Sequence, residues 1–264
     1  MKNSFTNYLK IYFSKRPMFL VLIRAKELTL FEENLELTGR VLDFGCGDGF
    51  FIQTLIGQNK TKRAADLKLT GLDIDQDKLR EAKDKRIYQK LVRYDGKKLP
   101  FSNDYFEMVI SNCVLEHVSD LSLVLKEINR VLKPGGQFVT TVMTNKWEEY
   151  LAGAKIFGQA YKKWMRKIQK HFNLLTANEW QKAFSKAQFK VIKQIGYLDE
   201  KASMLIDCFH YLSFYSLLCY KLTGRWVIWP SLFSKLAIFS YFEKVFGKNV
   251  PTNKSAAVFL KMKK

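Results

Sequence analysis

Cysteine and histidine are scarce in this sequence. Its 264 residues include four cysteines and three histidines. None of them forms a CxxC pair or a Cys/His cluster with the spacing of a zinc site. The sequence therefore predicts no metal site. It also predicts that the thiols are reduced, in a cytoplasmic protein, at positions Cys46, Cys113, Cys208 and Cys219.

Acidic residues are also few, and they are unevenly distributed. The chain has 25 Asp and Glu against 44 Lys and Arg, which gives a net charge of +19. Residues 151–264 hold only five of the acids against 20 basic residues. This imbalance favours an anionic partner for the C-terminal half, either nucleic acid or a membrane surface. A solvated basic face is the alternative interpretation.

Long uncharged apolar runs are absent as well. No stretch of 18 or more such residues occurs, so a simple transmembrane helix is not predicted. The first apolar run is interrupted by Lys10, Lys15 and Arg16, and no small-residue cleavage site follows it, so no signal peptide is predicted. Hydrophobic residues still make up 47% of the chain, enough for the core of one large domain.

What the sequence does have is an alternation of short apolar runs and amphipathic segments. Helices are predicted over 50–56, 76–85 and 121–132, and a turn at 133–136. Strands are predicted over 40–44, 69–73, 91–94, 106–111 and 137–143. Strands that alternate with helices indicate a parallel, doubly wound α/β sheet with helices on both faces.

The segments outside this alternation are mostly helical in pattern. Residues 5–35 and the basic, aromatic residues 145–175 have helical spacing. Thr176 with Glu179 three residues later predicts a capped helix over 176–187. Two more strands are predicted over 189–197 and 255–262. About fifty residues between them exceed what a compact sheet needs.

Glycines at every second position follow the first predicted strand. Gly45, Gly47 and Gly49 remove Cβ atoms where the backbone could pass close to a ligand, and the next helix starts with free N–H groups. A dinucleotide loop would read G-x-G-x-x-G, but here the third glycine comes one residue early, before Phe50. Asp43 precedes the loop and suits a cationic ligand better than a pyrophosphate. A glycine-rich turn without a ligand is the alternative.

The segment 43–49 resembles motif I of the class I S-adenosylmethionine-dependent methyltransferases. The resemblance implies that Gly45, Cys46 and Gly47 pack against S-adenosylmethionine and that Asp43 helps to anchor its methionine moiety. It also implies a Rossmann-like, seven-stranded, mostly parallel sheet whose last strand is antiparallel. The sequence adds a helical insertion between strands 6 and 7.

Further matches follow in order along residues 69–74. Asp73 ends the second strand where the family has its ribose-binding carboxylate, and Ile74 resembles the apolar residue on the adenine face. Asp75 and Asp77 are rivals for the ribose role. Acids at these positions also suit the start of the next helix, where they favour the positive end of the dipole.

The remaining matches lie between residues 94 and 136. Asp95, followed by Gly96, resembles the acid that reads the adenine amino group; a turn aspartate is the alternative. The run 99–109 resembles the family's approach to strand 4, with Glu107 where Asp is usual, and 132–136 matches the turn before strand 5. Asn112 is assigned to the cofactor site. No Asn/Asp-Pro-Pro-Tyr/Phe motif follows strand 4, which argues against exocyclic amino groups of bases and release-factor glutamine as substrates.

Two histidines are candidates for the acceptor side. His117 follows strand 4 at the carboxyl edge, where ligands bind in such sheets. Its neutral imidazole could accept a proton near pH 7, so it is the catalytic candidate. Framing of the cofactor pocket is the alternative role. His171 could line the acceptor side, or it could be a surface residue.

The insertion contains two apolar helical arms, 204–220 and 232–246, around Trp226 and Trp229. One interpretation makes them a helical cap over the active site. The other places the tryptophans at lipid headgroups, with Lys235 and Lys244 on anionic lipid.

These expectations define a single methyltransferase domain over residues 1–264. Its parts are an N-terminal helical cap (1–37), a cofactor-binding core (38–143), an acceptor-side insertion (145–175) and an apolar, basic insertion (198–252). The predicted function is methyl transfer to a small hydrophobic or lipid-linked acceptor, by a protein of the cytoplasm or of the inner face of a membrane. The alternatives are an RNA methyltransferase and a catalytically silent scaffold.

Overall fold

The computed structural model of the chain describes residues 4–58, 66–224, 226 and 238–264. Two helices, α1 (Ser4–Phe13) and α2 (Met18–Asn34), precede the sheet. They replace the continuous helical segment expected over 5–35. Pro17 separates them with φ −65° and ψ 149°, because proline lacks the N–H and fits only the first turn of a helix.

The alternating half of the chain folds as predicted. Every helix and strand here except the last strand lies within two residues of its predicted bounds. The elements are β1 (Arg40–Phe44), α3 (Phe50–Gln58), β2 (Lys68–Asp73), α4 (Gln76–Lys83), β3 (Lys90–Arg93), β4 (Phe106–Asn112), a 3-10 turn (Leu115–His117), α5 (Leu121–Val131) and β5 (Leu132–Met143).

The turn predicted at 133–136 is instead a bulge inside β5. Phe106 of β4 pairs with Leu132, but Met108 pairs with Gln137, so β5 uses three more residues than its neighbour. The unusual Glu107 holds this region together. Its carboxylate accepts hydrogen bonds from the Arg40 backbone N–H (2.7 Å) and from Lys133. Burial raises the pKa of Glu107, but these bonds outweigh it and hold the pKa at about 2.

The second half contains α6 (Lys146–Tyr150), α7 (Ala152–Gln169), α8 (Ala177–Lys186), β6 (Lys190–Tyr197), α9 (Glu200–Thr223), α10 (Ile238–Phe246), a 3-10 turn (Thr252–Lys254) and β7 (Ala257–Lys263). The capping box of α8 is confirmed, since Thr176 and Glu179 exchange side-chain to backbone hydrogen bonds. Gly158 kinks α7 with φ 58° and ψ −135°. Trp229 and Lys235 lie outside the described residues.

The seven strands form one sheet in the order β3-β2-β1-β4-β5-β7-β6. Only β7 runs antiparallel to its neighbours, which confirms the predicted fold class. Strand residues alternate between two cores: Val41 and Met108 face one, and Leu42 and Val109 face the other. The strand order reverses between β1 and β4, and open α/β sheets bind ligands at the carboxyl ends of strands at such a point.

The terminal helices pack together on one side of this edge. Helix α10 contacts α1, α2 and α9, and α2 contacts α3 and α9. Arg16, between α1 and α2, forms an ion pair with Asp48 of the glycine loop, and the Tyr12 ring lies 4.8 Å from that of Phe50. The junction of α1 and α2 therefore covers the loop that follows β1.

Candidate functional site

The glycine loop is held against the end of β2. The backbone N–H groups of Gly45 and Cys46 both donate to the Leu72 carbonyl, at 2.8 and 3.0 Å. Gly45 has φ +75°, and a Cβ there would stand 2.4 Å from a methyl group of Val114. Only glycine fits this position, because the backbone conformation and the available space both exclude a side chain.

Asp43 lies under this loop and is buried. The Tyr88 hydroxyl donates to its Oδ2 at 2.6 Å. Burial raises the pKa of Asp43 to about 7, the Tyr88 hydrogen bond opposes this shift, and the nearby charge of Asp73 adds to it. A cationic ligand would favour the ionised form. Sequence reasoning missed Tyr88, since nothing in the pattern of residues 86–89 links it to the loop.

Asp73 ties the loop to the start of α4. Its Oδ2 accepts the backbone N–H of Gly47 at 2.7 Å, and its Oδ1 accepts that of Asp75 at 2.9 Å. Asp75 caps α4 by accepting the N–H groups of Asp77 and Lys78. The carboxylate of Asp73 therefore holds the glycine loop, and that of Asp75 caps α4, as predicted from its position at the helix start.

A first cavity, of about 280 Å³, opens beside the end of β2. We call it the Ile74 cavity; its wall includes Asp73, Ile74, Tyr94, Gly96 and His117. Ile74 is 66% exposed, so its side chain has an apolar face to offer a flat ligand. Asp95 is exposed, and its Oδ1 accepts the backbone N–H of Lys97 at 2.9 Å. The predicted role of Asp95 stays a prediction.

A second cavity, the loop cavity, opens on the other side of the glycine loop. Its lining includes the predicted residues Asp43, Gly45, Cys46, Gly47 and Asn112, together with Arg16, Arg24 and Trp226. Burial raises the pKa of the Cys46 thiol, so this cysteine is a packing residue without thiolate character. Apart from Gly47 and its chain neighbours, no atom of the described residues lies within 4 Å of a Cβ added at Gly47, which leaves room for a ligand against the backbone.

Behind the loop cavity lies a buried carboxylate that the sequence did not reveal. Glu27 of α2 is fully buried and accepts hydrogen bonds from Arg24, Asn112 Nδ2 (2.9 Å), Cys113 Sγ (3.0 Å) and the Tyr197 hydroxyl (3.0 Å). A buried charge needs such a complete set of donors. Asn112, predicted to contact the cofactor, thus also binds the buried Glu27 carboxylate.

A third cavity, of about 230 Å³, lies between α2, α7 and α9. We call it the inner cavity. It shares Arg24 with the loop cavity and His117 with the Ile74 cavity. Most of its wall is apolar, including Phe19, Ile23, Met143, Trp147, Met165 and Ile206. Its polar groups are Arg24, Glu116, His117, Gln169, His171, Asp207 and His210.

His117 stands at the mouth of the inner cavity, beside His171. Its Nδ1 lies 3.3 Å from the Lys170 carbonyl, so a proton on Nδ1 leaves the lone pair on Nε2. Partial burial of the ring lowers the pKa of His117, although the residue is exposed overall. His171 is only 9% exposed, so the surface alternative for it was wrong, and burial lowers its pKa to about 3. The two ring centroids are 4.8 Å apart.

Asp207 and Gly153 join the two helices that close this cavity. Asp207 is the one acid among the apolar residues 204–220. It accepts hydrogen bonds from the Gly153 N–H (2.9 Å) and the Tyr161 hydroxyl (2.7 Å). A Cβ on Gly153 would lie 2.3 Å from the Tyr161 ring, so glycine permits the close approach. The polar residue in the apolar helix is thus a packing link to α7.

Comparison with known proteins now identifies the family. The family described as "Methyltransferase domain" matches residues 15–194, more than half of the chain. The chain belongs to this methyltransferase family. A Thermotoga maritima S-adenosylmethionine-dependent methyltransferase, titled a possible histamine N-methyltransferase, has the same fold. The TM-score is 0.59, at 17% identity, with full coverage of both chains.

Two curated relatives are more similar in sequence over shorter spans. A malonyl-[acyl-carrier protein] O-methyltransferase of Erwinia pyrifoliae is 35% identical over 105 residues, 40% of this chain and 37% of that protein. A ubiquinone biosynthesis O-methyltransferase of Brucella ovis is 26% identical over 159 residues, 60% of this chain and 62% of that protein. The matched region is thus less than two thirds of either relative.

Proposed function

We propose that this methyltransferase modifies a small hydrophobic, lipid-linked acceptor bound in the inner cavity. The observation that carries the proposal is the apolar inner cavity. Cys113 and His117 line both this cavity and the Ile74 cavity, so the two cavities meet there. The relatives methylate, by their names, a carrier-linked malonyl group and a precursor in ubiquinone biosynthesis. Both names are compatible with a hydrophobic or carrier-bound acceptor.

The cofactor is proposed to bind in the loop cavity and the Ile74 cavity. Its methionine part would lie in the loop cavity, against Asp43 and the backbone of Gly45, Cys46 and Gly47, near Asn112. Its ribose would lie at Asp73, and its adenine between Ile74 and the turn of Asp95 and Gly96. The support is chemical, since carboxylates and bare backbone suit a cationic, ribose-containing ligand. When bound, S-adenosylmethionine supplies an electrophilic methyl group on sulfur.

His117 is proposed to receive the acceptor's proton. The bound cofactor would supply the methyl group, and the inner cavity would hold the acceptor hydroxyl in line with it. Nε2 of His117, whose lowered pKa favours the neutral imidazole, would take the hydroxyl proton. The carbonyl of Lys170 holds the opposite ring nitrogen and so orients the imidazole.

Helix α9 is proposed to reach a lipid surface. It is the helix, among those described, that is long and apolar enough to cross a membrane, and only 22% of its apolar window is buried. It is also longer than the predicted arm. Its first part packs on the domain through Ala202, Ser203 and Ile206, whereas Phe214 is 70% exposed and Leu222 76% exposed. An exposed apolar face beside a basic half favours peripheral binding to anionic lipid.

The two arms of the insertion differ in this respect. Helix α10 buries Phe239, Phe242, Val245 and Phe246, and the Phe246 ring stacks on Phe5 of α1. The described part of the second arm thus serves as a cover. The proposed lipid contact therefore belongs to α9, and the cap and interfacial hypotheses apply to different arms.

The acceptor class is tested by radiolabelled methyl transfer to a total lipid extract and, in parallel, to total RNA. We expect label in the lipid fraction. Label in RNA alone would contradict the proposal in favour of the RNA alternative. A His117→Gln control identifies labelling that depends on the candidate base.

Lipid binding is tested by cosedimentation with anionic vesicles from about 50 mM to about 500 mM salt. We expect binding that weakens with salt and is lost in the triple variant Phe214→Ser, Tyr215→Ser, Leu218→Ser, whose side chains are exposed. The matched control is Ile192→Ser with Leu123→Ser, which removes exposed apolar side chains elsewhere. Equal binding by all three proteins, or none by any, would contradict the proposal.

A further inference from the structure

We propose that Glu116, His117 and His171 form a binding site for one divalent cation of the zinc class in the wall of the inner cavity. The sequence predicted no metal site, because no pair of ligand residues has zinc spacing. Glu116 and His117 are adjacent, but His171 lies 54 residues away in the chain. The fold brings the three together.

The geometry is that of an open three-ligand site. One ligand atom from each residue, an imidazole nitrogen or a carboxylate oxygen, lies within 4.8 Å of the other two. In a tetrahedral zinc site the ligand atoms are about 3.3 Å apart, at bond lengths of about 2.0–2.2 Å. Completing the site requires that these gaps close by up to about 1.5 Å.

Glu116 provides an independent indication of a missing partner. Its side chain is fully buried, and no side chain among the described residues forms a hydrogen bond with its carboxylate. Burial raises the pKa of Glu116 to about 7, although the backbone N–H groups of Glu116 and Met143 oppose that shift. A buried carboxylate without partners costs several kcal/mol unless a proton or a cation compensates it. Arg24 lines the same cavity, but its guanidinium is paired with Glu27. A bound cation would satisfy the Glu116 carboxylate where the protein itself does not.

The surroundings of His117 and His171 favour the neutral imidazoles that a metal ion binds. A metal-binding histidine must be neutral, and its second nitrogen usually donates to a carbonyl or carboxylate. Nδ1 of His117 has this partner in the Lys170 carbonyl, which leaves Nε2 for the metal. His171 is buried beside it, where a protonated imidazole would be poorly solvated.

Hydrogen bonds to backbone carbonyls hold residues 115–118 against residues 172–173. The Glu116 carbonyl accepts the N–H groups of Phe172 (2.8 Å) and Asn173 (3.1 Å). The Asn173 side chain donates to the carbonyls of Leu115 (3.0 Å) and Val118 (2.6 Å). These four bonds join the 3-10 turn to the residues after α7, so the spacing of the three ligands is part of the fold.

Two imidazoles and one carboxylate suit Zn²⁺, and three protein ligands leave a position open for substrate or water. That position would face the inner cavity. For this catalytic role the inference rests on the proposed function: an acceptor hydroxyl bound to the cation would lose its proton to water more readily, before its oxygen takes the methyl group. His117 would then serve as a ligand, and the cation would take over the activation of the hydroxyl.

The test is titration of the full chain with Co²⁺, followed by its visible absorption, and calorimetry with Zn²⁺. We expect one equivalent to bind. Glu116→Gln and His171→Gln should each weaken binding at least about tenfold. His210→Gln is the matched control, because His210 lines the same cavity outside the cluster, and it should bind like the unaltered protein.

Three results would overturn the site: no binding by the unaltered chain, equal loss in His210→Gln, or near-ultraviolet bands of cobalt–thiolate bonds, which would assign the metal to cysteine. Binding of S-adenosylhomocysteine is measured on the same proteins as the readout of folding and of the methyltransferase site. Loss of cobalt binding with retained S-adenosylhomocysteine binding in the two variants supports the site. Failure of the unaltered chain to bind S-adenosylhomocysteine would count against the cofactor assignment and leave the metal result standing.

Discussion

The carboxylates at the glycine loop and the end of β2, which we call the cofactor edge, differ from the carboxylate in the inner cavity in how they are hydrogen-bonded. At the cofactor edge each key carboxylate has protein partners: Asp43 has Tyr88, and Asp73 has the backbone of Gly47 and Asp75. In the inner cavity Glu116 has no side-chain partner among the described residues. The protein itself orients the carboxylates of the edge, whereas burial raises the pKa of Glu116 in the cavity to about 7.

The two regions also differ in their origin along the chain. The edge is built by β1, β2 and β4, within the span that matches the family. The inner cavity adds residues of α9, which begins after the matched span ends at residue 194. Under the proposed function, the cofactor would bind at the edge within the matched span, and the acceptor would bind in a cavity that a helix outside that span helps to close.

The largest expected effect is on the rate of methyl transfer when His117, which lines both the inner cavity and the Ile74 cavity, is replaced. His117→Gln should lower the rate of methyl transfer by about 10²–10⁴-fold, because either the proton acceptor or a metal ligand is lost. Affinity for S-adenosylhomocysteine, measured by calorimetry, should stay close to that of the unaltered protein. Ile192→Ser serves as the control, because this exposed side chain lines none of the three cavities. A His117→Gln enzyme of normal rate would assign His117 to the frame of the cofactor edge alone.

A second substitution tests the rigidity of the edge. Gly45→Ala introduces a Cβ at φ +75° and 2.4 Å from Val114, so the free energy of unfolding should fall by about 2–4 kcal/mol. Gly47→Ala, where nothing lies within 4 Å, should cost only about 1–2 kcal/mol. Urea denaturation of both variants measures the difference. Equal losses would mean that the contact with Val114 does not constrain the loop.

A third test distinguishes the two acids after β2. Asp73→Ala should weaken S-adenosylhomocysteine binding by about 1–3 kcal/mol through lost hydrogen bonds to the ribose and a loosened loop. Asp75→Ala removes the cap of α4 and should lower stability by about 1 kcal/mol with little effect on binding. Calorimetry beside thermal unfolding separates the two. The reverse pattern would transfer the ribose role to Asp75.

A fourth test concerns the pH dependence of cofactor binding at Asp43. Asp43, whose pKa is about 7 in the free protein, must be ionised to favour a cationic ligand, so cofactor affinity should rise with pH until about pH 7 and then level off. Below that pH the change approaches tenfold per unit. Binding of S-adenosylmethionine from about pH 5.5 to 8.5 measures this.

Two variants sharpen the pH test. Asp43→Asn should abolish the dependence on pH. Tyr88→Phe should move its midpoint upward, because the Tyr88 hydrogen bond lowers the pKa of Asp43. A profile unchanged in Asp43→Asn would assign the titration to another group.

The sequence by itself was enough to predict the seven-stranded sheet, the glycine loop and the helix cap at Thr176. Each is encoded locally: a strand by its apolar run, a loop by glycines at positive φ, a cap by two residues in one turn. Tertiary structure alone paired Tyr88 with Asp43, surrounded Glu27 with donors and placed His171 beside His117. Apart from the Arg24–Glu27 pair, those contacts join residues 45 to 170 positions apart, and the energies that select them come from burial and packing that no local pattern records.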